Sequence, residues 1–185
     1  NREGSREICS RDCKKVLTLV NERTSMKKEK KIAYVTGGMG GIGTAICRKL
    51  YSLGYVVIAG CGPNRDFKSW LTTQSEDGYD FLYSVGNVSD WESTKTAFDN
   101  VRDTVGNVDV LVNNAGVLRD KSFAKMEIAD FDFVVDVHLF GTMKPTKAVW
   151  PIMKEQGYGR IMVTSSSSGL YGNFGQSNYG AAKLG

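Results

Sequence analysis

Histidine is almost missing from this chain: of 185 residues only His138 is one, and the four cysteines, Cys9, Cys13, Cys47 and Cys61, form no Cys-x-x-Cys pair. The usual zinc sites and a disulfide framework are thereby excluded, and Cys47 and Cys61 read as small core thiols of a reduced, cytoplasmic protein. Long apolar runs are also absent, and none approaches the about 20 residues of a membrane-spanning helix. Basic excess is lacking where it would matter. Residues 1–30 hold nine of the 24 Lys and Arg and five of the 20 Asp and Glu, which leaves fifteen of each in residues 31–185. A neutral body cannot displace counterions from a phosphate backbone, so neither a nucleic acid nor a membrane is an expected partner.

The basic excess belongs to residues 1–29, which read as a solvated N-terminal extension. The apolar run 16–20 is too short for a signal-peptide core, and the acidic residues argue against a transit peptide. Met26, followed by Lys27-Lys28-Glu29-Lys30, has the look of an ordinary start, so residues 1–25 are expected to be an upstream extension. Residues 30–185 suit one domain.

Glycine is plentiful, and its densest stretch organises the domain. Val35-Thr36-Gly37-Gly38-Met39-Gly40-Gly41-Ile42-Gly43 follows a short apolar strand at 31–35 and precedes residues with helical apolar spacing. A strand-to-helix turn without side chains lets a ligand reach main-chain N–H groups, and the helix N-terminus favours a pyrophosphate. The spacing Gly-x-x-x-Gly-x-Gly differs from the commoner Gly-x-Gly-x-x-Gly form.

Strands and helices then alternate. A second buried strand, 55–60, ends with no carboxylate before Asp66, where an acidic residue would hold an adenosine ribose. Arg65 stands close by, which favours a 2′-phosphate and hence NADP over NAD. A helix over 66–75, a strand over 78–85, and a helix over 92–105 capped by Ser89 or Asp90 follow. Asn87 and Val88 fall where an adenine ring would lie. A fourth strand, 108–112, runs into Asn113-Asn114-Ala115-Gly116 at the sheet edge where open α/β folds bind ligands. A long helix is expected over 130–156, with Pro145 kinking it or costing ~3 kcal/mol. A fifth strand, 160–164, delivers Ser165 to Ser168, and Tyr179 and Lys183 share one face of a last helix.

The Gly turn, Asn113-Asn114-Ala115-Gly116, the serine run and Tyr179-x-x-x-Lys183, in this order on alternating elements, resemble the short-chain dehydrogenase/reductase family over residues 30–185. Within it, residues 33–47, 60–64 and 91–98 are similar to bacterial acetoacetyl-CoA reductases. Residues 136–139 and 171–179 look more like the (3R)-hydroxyacyl-CoA dehydrogenase units of multifunctional β-oxidation enzymes. The resemblance implies a Rossmann-like doubly wound parallel α/β sheet and a cofactor cradle of Gly37, Gly38, Met39, Gly40, Gly41, Ile42 and Gly43. It adds Asn114, Ala115 and Gly116 to the cofactor's surroundings.

For the chemistry it implies that Tyr179 gives a proton to a carbonyl oxygen, the Lys183 ammonium favouring the phenolate. Lys183 would also bind the nicotinamide ribose. Ser166, thirteen residues before Tyr179, would hydrogen-bond the oxygen as it gains charge. His138 stands where most members have an asparagine, and is either a water-holding catalytic residue or a helix-packing one. Phe174 and Gln176 are the substrate-side candidates.

The reading that follows is NADPH-dependent reduction of 3-oxoacyl thioesters, acetoacetyl-CoA by preference, to the (3R)-3-hydroxy product. A 3-oxoacyl-acyl-carrier-protein reductase, a (3R)-hydroxyacyl-CoA dehydrogenase and an inactive nucleotide-binding fragment are the alternatives. Relatives continue past the equivalent of Gly185 with two more strands and a substrate lid, and assemble as dimers or tetramers. The chain is therefore expected to be cut short after the fifth strand and the start of the catalytic helix, poorly stable and inactive alone, and homo-oligomeric in full length.

Overall fold

The computed structural model describes residues 30–185. The N-terminal extension, with Cys9 and Cys13, lies outside them. In order come β1 (Ile32–Val35), α1 (Gly41–Ser52), β2 (Val56–Cys61), α2 (Phe67–Glu76), β3 (Leu82–Val85), α3 (Trp91–Thr104) and β4 (Val110–Asn113). After one 3₁₀ turn follow α4 (Ile128–Val135), a π turn (Asp136–Phe140), α5 (Gly141–Glu155), β5 (Arg160–Val163), α6 (Ser167–Tyr171) and α7 (Ser177–Leu184). All strands are parallel, in the order β3-β2-β1-β4-β5. This is the doubly wound, Rossmann-like sheet expected from the alternation of elements.

Successive strand residues face opposite sides, so strands apolar at every position must be covered on both. Ala33, Val35, Val57 and Ala59 join Cys47 of α1 and Trp70 of α2 in one core. Ile32, Tyr34, Ile58 and Leu111 join Phe98 and Val101 of α3 and Val149 and Met153 of α5 in the other. Each fully buried Val, Leu or Ile contributes roughly 1.5–3 kcal/mol. The two cores flank the sheet, and from the carboxyl ends of its strands project the Gly turn after β1 and the Asn114-Ala115-Gly116 segment after β4.

Several boundaries differ from expectation, β4 among them, which runs Val110–Asn113 rather than 108–112. β3 begins at Leu82 rather than 78, because Tyr79 and Phe81 are drawn into an aromatic cluster with Tyr51 and Trp70. β2 reaches Cys61, which pairs with Val85. The long helical run departs from α geometry at the π turn, and α5 continues through both Pro145 and Pro151. The Thr142 hydroxyl donates to the His138 carbonyl at 2.7 Å, satisfying it within the widened turn. Asp90, rather than Ser89, caps α3 by accepting from Ser93 N at 2.6 Å. Among the described residues no helix is long and apolar enough to cross a membrane.

Candidate active site

The Gly turn is held in place by β4. Thr36, buried at the end of β1, accepts from the N–H groups of Asn114 at 2.9 Å and Ala115 at 3.0 Å. In return the Asn114 amide donates to the carbonyls of Thr36 and Gly37, each at 3.2 Å. Gly37 sits at φ 62°, and a Cβ there would lie 2.9 Å from Ala115 Cα. The side chain of Met39 is buried, and the Cys47 thiol donates to the Gly38 carbonyl at 3.7 Å. Burial pushes that thiol up to about 12.

The glycines divide by what constrains them. At Gly43 an added Cβ would be 2.1 Å from the Gly37 carbonyl oxygen, so the chain's own packing demands glycine. At Gly41 nothing lies within 4 Å, and at Gly40 only an ordinary contact at 3.5 Å. These two leave open space beside the N-terminus of α1. That terminus has no side-chain cap and no acidic residue in its first turn, whereas α2 and α3 are capped by Asp66 and Asp90. Unpaired first-turn N–H groups, partial positive charge and open space together fit the pyrophosphate of a dinucleotide.

Two adjoining cavities extend from this point. One, of about 560 Å³, is walled by the Gly turn from Gly37 to Gly43 except Gly38, and by Arg65, Asn114, Gly116, His138, Thr164, Tyr179 and Lys183. The other, of about 520 Å³, shares Gly37, Cys61, Arg65 and Gly116 with it and adds Asn87, Val88 and Ala115. Gly38 packs on Ala59 and faces neither. Arg65 crosses their junction and donates to the Met39 carbonyl at 2.8 Å.

The reactive side chains gather at the far end of the first cavity. Lys183 Nζ lies 5.8 Å from the Tyr179 ring centre and donates to the Thr164 carbonyl at 2.6 Å. Burial holds its ammonium below the usual lysine range. His138 stands edge-on to Tyr179, with ring centres 5.0 Å apart. Its Nε2 is 2.7 Å from the carbonyl and 3.0 Å from the N–H of Val117, while Nδ1 is buried without a partner. Burial first, and then the Lys183 charge, lower the imidazole below the ordinary 6.5, so it is neutral at physiological pH. A Cβ on Gly116 would meet this ring at 2.6 Å, which explains the glycine.

Besides Gly38, three candidates lie outside the two cavities. Ser166 is half-buried and caps α6, accepting from Ser168 N at 3.2 Å. The short helix α6 was not foreseen. Phe174, 90% exposed, and Gln176 line a separate groove of about 420 Å³ with Phe123 and Leu184. The Gln176 amide is already engaged, donating to Asp120 at 2.8 Å and accepting from Asn173 at 3.0 Å. Two residues that sequence reasoning passed over are central: Thr36, described above, and Asn178, wholly buried beside Tyr179. Their bonds join residues 48 to 79 positions apart, which no local pattern announces.

A family model described as short chain dehydrogenase matches residues 31–185. The chain belongs to that family. As a short chain dehydrogenase it takes an NAD(P)-type cofactor, in agreement with the cradle around Gly40 and Gly41. It is 55% identical over 156 residues to the acetoacetyl-CoA reductase of Cupriavidus necator, covering 84% of this chain and 63% of that protein. It is 47% identical to nodulation protein G of Azospirillum brasilense, with the same coverage. To the peroxisomal multifunctional enzyme type 2 of Mus musculus it is 40% identical over 165 residues, covering 84% of this chain and 22% of that protein. The chain thus spans somewhat less than two thirds of the acetoacetyl-CoA reductase.

Proposed function

We propose that this chain carries the cofactor cradle and the proton-transfer group of an NADPH-dependent reductase of 3-oxoacyl thioesters, with acetoacetyl-CoA the preferred substrate and a (3R)-3-hydroxyacyl thioester the product. The observation that carries the reading is a single cavity walled at one end by the uncapped Gly turn and at the other by Tyr179, Lys183 and His138. The 55% identity to an acetoacetyl-CoA reductase supports the substrate. The (3R) product rests on the resemblance of residues 136–139 and 171–179 to (3R)-hydroxyacyl-CoA dehydrogenase units, and we take the cytoplasm as the compartment, although the similar multifunctional enzyme of Mus musculus is peroxisomal.

In this reading the α1 N-terminus and the Gly40 and Gly41 backbone bind the pyrophosphate, and Asn87, Val88 and Ala115 surround the adenosine. Arg65, with no carboxylate on β2 to compete, takes the 2′-phosphate. A nicotinamide held in this cavity would supply the hydride that the carbonyl carbon accepts. Tyr179 donates its phenolic proton to the carbonyl oxygen, which completes the alcohol. Lys183 brings positive charge to the phenol and directs its remaining donors to the cofactor ribose, one already being committed to Thr164. Ser166 accepts from Ser168 N, so its own hydroxyl hydrogen is available to the substrate oxygen. Phe174 and Gln176 border the thioester's approach through their groove. In this reading the protein assembles as a homo-oligomer.

The test is NADPH oxidation by the whole protein on adding acetoacetyl-CoA, with chiral analysis of the product. Thioester-dependent oxidation giving the (3R) product is expected. Activity confined to carrier-protein thioesters, or none on either, overturns the proposal.

A further inference from the structure

We propose that residues 117–121 form a strap that registers the proton donor against the cofactor cradle, and that Asn178 is the positioning residue that fastens Tyr179 to it. The inference rests on the reading of Tyr179 as the proton donor.

Asn178 is wholly buried, and an amide in that position must find partners or destabilise the fold. Its Nδ2 donates to the Arg119 carbonyl at 3.1 Å and reaches the Asp130 carbonyl at 3.5 Å, while its Oδ1 accepts from the Tyr179 N–H at 2.7 Å. One side chain thus spans the strap, α4 and the backbone that carries the phenol. The strap is fixed independently. Lys121 and Arg119 pair with the Asp130 carboxylate at 2.8 and 3.7 Å, and Lys121 N donates to the Gly175 carbonyl at 3.0 Å.

At its other end, the Val117 backbone meets His138 Nε2, and the same imidazole stands edge-on to the Tyr179 ring. Tyr179 is therefore gripped through its backbone by Asn178 and through its ring by His138, and both grips refer to the strap. The strap itself continues from Asn114 and Ala115, which are bonded to Thr36 and Gly37 of the cradle. An unbroken set of hydrogen bonds and packed groups runs from the pyrophosphate turn to the phenol. A shift of about 1 Å between donor and cofactor costs on the order of a hundredfold in rate, so this is the register that must be kept. Asp130 does not line the cavity, yet it anchors the strap.

The experiment compares Asn178→Ala and Asp130→Asn with the unmutated protein, reading kcat, KM and NADPH affinity on acetoacetyl-CoA, with amide exchange across residues 177–184. Asn178→Ala is expected to lower kcat about 30- to 100-fold while NADPH affinity stays within about twofold. Asp130→Asn is expected to lower kcat about threefold, a loss that raised salt reproduces in the unmutated protein because the ion pairs are partly exposed. Unchanged kcat in both variants, or loss of NADPH binding in step with kcat, overturns the proposal. Should Asn178→Ala fail to fold, Asp130→Asn decides by the same criteria. Should the unmutated protein not reduce acetoacetyl-CoA, the functional reading fails, and the strap is judged by amide exchange. Faster exchange across α7 in either variant supports it, and unchanged exchange in both refutes it.

Discussion

Replacing Gly41 by alanine separates the cofactor's demands from the fold's. A Cβ at this position meets no protein atom within 4 Å, and the residue opens α1 in helical conformation. Alanine there reduces the freedom of the unfolded chain and is worth about 0.4–1 kcal/mol to the folded state. For a domain of this size that raises the melting temperature by about 1–4 °C. The same methyl occupies the space assigned to the pyrophosphate and disturbs one charge-assisted hydrogen bond, worth about 1.5–3 kcal/mol. Affinity for NADPH should then fall roughly 10- to 150-fold. Gly43→Ala behaves in the opposite way, because its Cβ would sit 2.1 Å from the Gly37 oxygen and 2.8 Å from Gly38 Cα. Both neighbours are backbone and cannot swing aside, so this variant should lose stability outright. Thermal melting and fluorescence titration with NADPH read the two effects. A Gly41→Ala protein that binds NADPH like the parent would refute the assignment of the open space, and a Gly43→Ala protein that melts like the parent would refute the packing argument.

Two further outcomes follow from the same geometry. Arg65→Ala should weaken NADPH about 10- to 100-fold and leave NADH nearly unaffected, since a phosphate contact is lost only with the former. Equal weakening of both in steady-state kinetics would instead assign Arg65 to its bond with Met39. His138 has a folded-state pKa below its ordinary 6.5, so the unfolded chain binds the extra proton first as pH falls. The stability this neutral imidazole contributes is full above 6.5 and is lost as pH drops from there towards the lowered value. His138→Asn should flatten the fall in melting temperature over that acidic window, and an unchanged pH profile would sink this account.

The Gly turn and the placing of Tyr179 beside Lys183 on one helix face were legible because each rests on short-range chemistry. Apolar runs marked the strands, the Gly turn needed strand and helix on either side, and Tyr179 and Lys183 share a face at a spacing of four. What escaped was long-range or tertiary. Strand β3 gave up Tyr79 and Phe81 to an aromatic cluster that only packing could reveal. The serine run hid a short helix capped by Ser166, since serine favours caps and loops alike. A continuous α-helix was expected around His138, and the π turn there leaves no mark in apolar periodicity. Asn178 was given no role, although it is buried and, besides Tyr179, is bonded to residues 48 and 59 positions away. Gln176 read as a substrate-side residue, and its amide proves to be engaged with Asp120 and Asn173.

The central claim is that Tyr179 delivers the proton to a 3-oxoacyl thioester at the end of the NADPH cradle. Its most direct test is the rate of acetoacetyl-CoA reduction by the Tyr179→Phe protein at saturating NADPH. Phenylalanine keeps the ring that packs against His138 and removes only the hydroxyl. With general-acid transfer contributing about 10²–10⁴-fold, kcat should fall by that factor while NADPH affinity is retained. A Tyr179→Phe protein that reduces the thioester within a few-fold of the parent rate would contradict the account.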